Sequence, residues 1–210
     1  MVIAVKKLIL YIIVVMSLNE DKLRPNILLY HCNFSEKCKN FLCEDSGLIW
    51  SNEDGIYLGD GMYFWDNISN AEYWEKIKQK SSQDTLILRC NVFVDKLLDL
   101  TDTDICNKVN ELWKELDNSM IKRRDYNIYN GKTYLGDKLN LLFKELPNFS
   151  ESYYVIKAYY KYNKTPQNNL FKYNIYDKKI EPVLNIKCIY NVKNNSVIGY
   201  KEVVIREKSC

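Results

Sequence analysis

Apolar positions along this 210-residue chain recur with two periods, and the periods predict its elements. Ile27 to Tyr30 is a compact apolar run of buried-strand type, ending on His31. Phe34, Cys38, Phe41 and Leu42 share one helical face within a segment from Phe34 to Glu44, which Ser46-Gly47 breaks. Met62 to Trp65 is a short aromatic strand. Ser69 and Glu72 fit a capping box, so a helix is expected from about Asn70 to Lys80. Thr85 to Val94 is the clearest strand, dominated by β-forming residues. Leu97 to Leu100 leads into a cap-rich turn at Thr101 to Asp104. Ile105, Val109, Leu112, Trp113, Leu116 and Met120 then repeat at helical spacing. A further helix is expected around Leu139 to Leu146, closed by Pro147. Three strands follow, at Tyr153 to Tyr160, Val183 to Tyr190 and Val197 to Ile205. Lys193 to Asn195 reads as a hairpin turn between the last two. Strand, helices, long strand, helices and a closing antiparallel set predict an α+β domain over residues 21–210.

The first twenty residues stand apart. Lys6-Lys7 precede an apolar run from Leu8 to Met16, the layout of a secretion leader, but no small-residue cleavage site follows. The run is too short to cross a membrane as a helix. A leader, a buried strand, and translation starting at Met16 all remain open. The expected location is cytoplasmic, or secreted if residues 1–16 are a leader.

Composition narrows the chemistry. Hydrophobic content of 47% and charged content of 27% are ordinary for a globular chain. A net charge of +3 gives no strong nucleic-acid signal. Seven cysteines with no C-x-x-C pair and a single histidine leave no zinc constellation, and no metal is expected. The cysteines read as reduced, mostly buried thiols. In a strand Cys32 points away from its neighbour His31, so a Cys/His nucleophile pair is poorly supported.

The richest stretch runs from Tyr57 to Trp74. Gly59 and Gly61 flank Asp60 in what should be a sharp turn, Tyr63 and Trp65 share one strand face, and a capped helix follows. Glycine turn, strand and helix start together suit the wall of a ligand cleft as well as a plain core turn. His31 is a candidate site residue for its place at a strand end.

Tyr30-His31-Cys32-Asn33, followed by Gly59-Asp60-Gly61-Met62-Tyr63-Phe64 and then Ala71, Tyr73 and Trp74, resembles the ADP-ribosyltransferase fold. The similarity is to its His-Tyr-Glu branch, that of the poly(ADP-ribose) polymerases and diphtheria toxin, and to uncharacterised bacterial and phage proteins of this type. It covers residues 27 to 100 well and the last 25 loosely. It implies a split β-sheet core with flanking helices, and NAD as substrate. His31 would hydrogen-bond the nicotinamide-side ribose, Tyr63 would stack on the nicotinamide, and the backbone at Cys32 would grip the carboxamide. Gly61 and Tyr73 would complete the cofactor-binding set. ADP-ribose would pass to an unidentified macromolecule, as in a toxin or defence effector.

The sequence departs from that pattern twice. Cys32 stands where a glycine is expected, and Lys187 where a catalytic glutamate is expected. A lysine repels the oxocarbenium charge that a carboxylate stabilises. Glu202, opening Val203 to Ile205, is the better candidate for the catalytic carboxylate, with Glu181 also near. The alternatives are a catalytically inactive member that keeps a binding cleft, and an exported interaction domain.

Overall fold

The computed structural model describes residues 24–43, 47–52, 55–123, 134–162 and 185–205. Residues 1–20, Glu181 and residues 163–169, whose polar, proline-bearing sequence reads as a loop, lie outside them. In chain order the elements are β1 (Asn26–Phe34), α1 (Ser35–Leu42), β2 (Met62–Trp65), α2 (Ile68–Lys78), β3 (Thr85–Phe93) and β4 (Leu97–Asp99). They continue with α3 (Thr103–Arg123), α4 (Leu135–Glu145), α5 (Pro147–Ser152), β5 (Val155–Lys161), β6 (Ile186–Val192) and β7 (Ile198–Val203). The seven strands form one sheet in the order β4-β5-β6-β2-β1-β3-β7. All neighbours are antiparallel except β4 and β5. The α+β expectation holds at this level.

Strand alternation divides the interior into two cores. One face carries Leu29, Phe64, Leu88, Cys90, Tyr190 and Val192, covered by Cys38 and Phe41 of α1. The other carries Cys32, Trp65, Ile87 and Ile189, covered by Ala71 of α2, Leu116 and Met120 of α3, and Leu139 and Leu142 of α4. Phe64 is fully buried at the centre of the first core. That burial alone contributes about 2–3 kcal/mol.

Several predicted boundaries shift for local reasons. β1 runs on to Phe34, because it pairs with β3 from Asn26 opposite Phe93 to Phe34 opposite Thr85. His31 therefore sits inside the strand and not at its end. The cap of α2 is Asn67, whose side chain accepts from the Asn70 amide, while Ser69 only buttresses it with a 2.8 Å hydroxyl bond. An earlier Asn competes well for the same orphan amides. Asp102 caps α3 by accepting from the amides of Asp104 and Ile105. Pro147 ends α4 as expected and also opens α5.

The predicted hairpin at Lys193 to Asn195 does not form. β6 pairs with β2 and β5, whereas β7 pairs with β3 on the opposite side of the sheet. Asn194 caps a short 3-10 turn at Asn195–Val197, and Val197 is fully buried in the first core. Burying that valine carries the chain across the sheet end instead of folding it back. Lys201 of β7 then donates to the carbonyls of Phe41 and Cys43, closing the C-terminus of α1. Among the described residues no helix is long and apolar enough to cross a membrane.

Candidate ligand-binding cleft

β1 and β2 meet at one registered pair, Tyr30 opposite Trp65, and part beyond it. The parting opens a cleft of about 320 Å³. Its walls are the end of β1 (His31 to Phe34), Tyr63 and Trp65 of β2, Trp74 and Lys78 of α2, and Ile189 of β6. Trp50 and Lys37 close it toward α1. A shallower hollow of about 570 Å³ continues from there, sharing Lys37, Ile49 and Trp50.

His31 fills the gap between the diverging strands. Its Nδ1 lies 2.6 Å from the carbonyl oxygen of Tyr63. A carbonyl can only accept, so Nδ1 carries the proton and Nε2 is left as an acceptor. The side-chain amide of Asn33 reaches that Nε2 at 3.3 Å. Asn33 is held in turn, its Oδ1 accepting from the Phe34 amide at 3.0 Å and from Lys78 Nζ at 3.4 Å. The imidazole is buried, with its ring 5.5 Å from that of Phe64. Burial pushes its pKa down from 6.5 to about 4, against the pull of the Tyr63 carbonyl, and the Lys78 charge lowers it further. His31 is thus a neutral, oriented hydrogen-bond acceptor facing the cleft.

Because the fold favours neutral His31, the unfolded chain takes up this proton first. The contribution is complete above pH 6.5 and is lost as pH falls toward about 4. The loss amounts to about 3 kcal/mol by linkage. His31→Gln should therefore lose less stability than the native chain between about pH 7 and pH 4.5 in urea titrations. Equal losses in the two proteins would contradict this protonation state.

The floor is aromatic. The Tyr63 hydroxyl donates to the Gly59 carbonyl at 2.6 Å and accepts from the Leu58 amide at 3.0 Å. The glycine turn thereby fixes the ring from behind. Asn191 donates to the same carbonyl at 3.1 Å, Asn140 bonds Asp60 through both its amide atoms, and Lys193 donates to Leu58 and Asp60 carbonyls. Beside Tyr63, Trp65 stacks on Trp74 with centroids 6.0 Å apart and planes 23° from parallel. Flat apolar faces and a fixed acceptor together suit a planar ring carrying a hydroxylated substituent.

Of the residues expected at a site, the structure brings His31, Cys32 and Tyr63 together on this cleft. Cys32 lines it and also packs against the second core. Gly61 stands behind it. Its backbone bridges to Ser51, its φ is +143°, and a Cβ there would lie 2.3 Å from Asn191 Oδ1, so it shapes the turn and does not line the cleft. Tyr73 projects from α2 with 56% exposure, its ring edge-on to Trp74, and supports that wall from outside.

Glu202, expected as the catalytic carboxylate, does not line the cleft. It lies on edge strand β7, opposite Arg89 of β3, two strands from β1. Two strand spacings put it about 10 Å away from β1 across the sheet. Arg89 binds one of its oxygens and the Tyr200 hydroxyl donates to the other at 2.9 Å. Tyr200 and Arg89 hold its carboxyl below the usual range. Lys187 does not fill the cleft either. It sits on β6 opposite Tyr160 of β5, and β6 offers Ile189 to the cleft instead.

Sequence reasoning left out Trp65, Trp74, Lys78 and Asn33 as site residues. Two signals point to three of them: Trp65 shares a strand face with Tyr63, and Trp74 and Lys78 are four apart on one helix. Among the described residues no cluster of three or more side chains suits a metal ion. No family model, no curated protein and no solved structure matches this chain.

Proposed function

We propose that this cleft binds NAD through its nicotinamide–ribose end, within an ADP-ribosyltransferase-like split sheet. One observation carries it: Tyr63, latched to its glycine turn, and neutral His31 face one cleft where β1 and β2 part. The nicotinamide stacks on the aromatic floor, and a ribose hydroxyl donates to His31 Nε2 in place of the Asn33 amide. The pyrophosphate runs toward Lys37 and Lys78, and the adenosine end lies over the adjoining hollow. The activity implied by the resemblance is transfer of ADP-ribose to a macromolecule by a toxin or defence effector, with loss of nicotinamide.

A second reading has its own support. The charged side chains among the described cleft residues are lysines, and Glu202 is held on the far edge by Arg89 and Tyr200. Glycosidic cleavage without a nearby carboxylate forgoes its main stabilisation of oxocarbenium charge. This favours a nucleotide-binding protein that has kept the cleft and lost the reaction.

Calorimetric NAD titration and label transfer from radiolabelled NAD in lysate test both readings. NAD binding is expected to persist unchanged in Glu202→Gln. Absence of heat with NAD at about millimolar concentration, a weak limit for a specific ligand, would sink the NAD reading. Transfer that survives in Glu202→Gln would overturn the inactive reading and point to another carboxylate.

A further inference from the structure

We infer that Asn33 is a positioning residue that carries anion binding at Lys78 to His31, so that a phosphate group in the cleft changes how readily His31 Nε2 accepts a hydrogen bond. This rests on the cleft being the ligand site proposed above, but not on NAD being the ligand.

The geometry is a chain of three side chains. Lys78 Nζ donates to Asn33 Oδ1 at 3.4 Å, and the Asn33 amide donates to His31 Nε2 at 3.3 Å. Both bonds are long, whereas the bond behind the ring, from Nδ1 to the Tyr63 carbonyl, is 2.6 Å. The ring is therefore fixed from behind and only loosely held in front. Lys78 also lies 4.9 Å over the Phe34 ring, so its ammonium is poised at the cleft wall and not in bulk water. A phosphate at the cleft offers this ammonium a charged partner in place of a neutral amide oxygen. Asn33 Oδ1 then keeps only its bond from the Phe34 amide, 3.0 Å long, and the loosened side chain pivots on it so that its amide withdraws from Nε2. An incoming hydroxyl then finds the acceptor open. A ligand carrying both a hydroxyl and a phosphate gains from each in the presence of the other.

The titratable groups around the imidazole are Cys32 on β1, Lys37 and Cys38 on α1, Lys78 on α2, Tyr63 on β2, and Tyr57 beside it. β3 presents apolar Leu88 opposite His31. Burial raises the Cys38 thiol to about 11, so it stays protonated. The charges at neutral pH are thus the ammonium groups of Lys37 and Lys78, and of these it is Lys78 that touches Asn33. An anion on Lys78 offsets its charge and loosens the amide that stabilises the neutral ring. Both effects raise the proton affinity of His31.

The chain has one histidine, so its ring nitrogens give a single set of signals in a long-range proton–nitrogen correlation spectrum. The probe is inorganic pyrophosphate added to the full-length protein, against chloride at matched ionic strength. Pyrophosphate should raise the His31 titration midpoint by about one unit. In Lys78→Met the shift should fall below roughly a third of that, and Lys78→Arg should restore it. Asn33→Ala should raise the midpoint without pyrophosphate and blunt the response to it. No shift in the native chain, or an equal shift in Lys78→Met, would overturn the relay. A pyrophosphate response in a protein that fails to bind NAD would remove the NAD reading and leave the relay standing.

Discussion

Gly61→Val is expected to lose about 4 kcal/mol of stability, a large share of the roughly 5–15 kcal/mol of an ordinary domain. Two costs combine. At φ +143° a side-chain-bearing residue is strained, at about 1–3 kcal/mol. A Cβ would also come within 2.8 Å of the Val192 carbonyl, which is backbone of a central strand and has little room to shift. The Ser51 bridge fixes Gly61 from the other side through two bonds of 2.9 and 3.0 Å. Gly47→Ala is the internal control. Nothing lies within 4 Å of its Cβ, so it should change stability by under about 0.5 kcal/mol. Urea midpoints with unchanged slopes measure both; a mild effect at Gly61 would contradict the close approach of turn and strand.

The second large effect is at Tyr63. Tyr63→Phe keeps the ring and removes one bond to the Gly59 carbonyl and one from the Leu58 amide. The Gly59 carbonyl keeps its bond from Asn191, but the buried Leu58 amide loses the hydroxyl it donates to, which should cost about 2 kcal/mol. Ligand affinity should fall only a few-fold, because the stacking face survives. Tyr63→Leu removes the face as well, and NAD affinity should fall by at least about tenfold. If Tyr63→Phe matched Tyr63→Leu in affinity while both stayed folded, the ring would not be the floor of the site.

Local chemistry made much of this molecule legible. The period-2 face shared by Tyr63 and Trp65, the helical faces of α1 and α3, and the long strand β3 all follow from side-chain spacing. Placement was not legible where partners are distant in sequence. Lys193 to Asn195 has hairpin chemistry, yet Val197 is drawn into a core built by β1, β2 and β3. Glu202 opens an apolar run like a catalytic strand, yet only strand order shows it two strands from β1. The Lys78–Asn33–His31 chain joins residues up to 47 positions apart in sequence, and no local pattern announces it.

We propose that an aromatic, histidine-lined cleft at the parting of β1 and β2 takes NAD. The most direct measurement follows the ring nitrogens of His31 while NAD is added. A saturable shift is expected at Nε2 with little change at Nδ1, which stays bonded to the Tyr63 carbonyl, and the shift should be lost in Tyr63→Leu. Ring signals that do not move at about millimolar NAD, or that move equally in Tyr63→Leu, would contradict it.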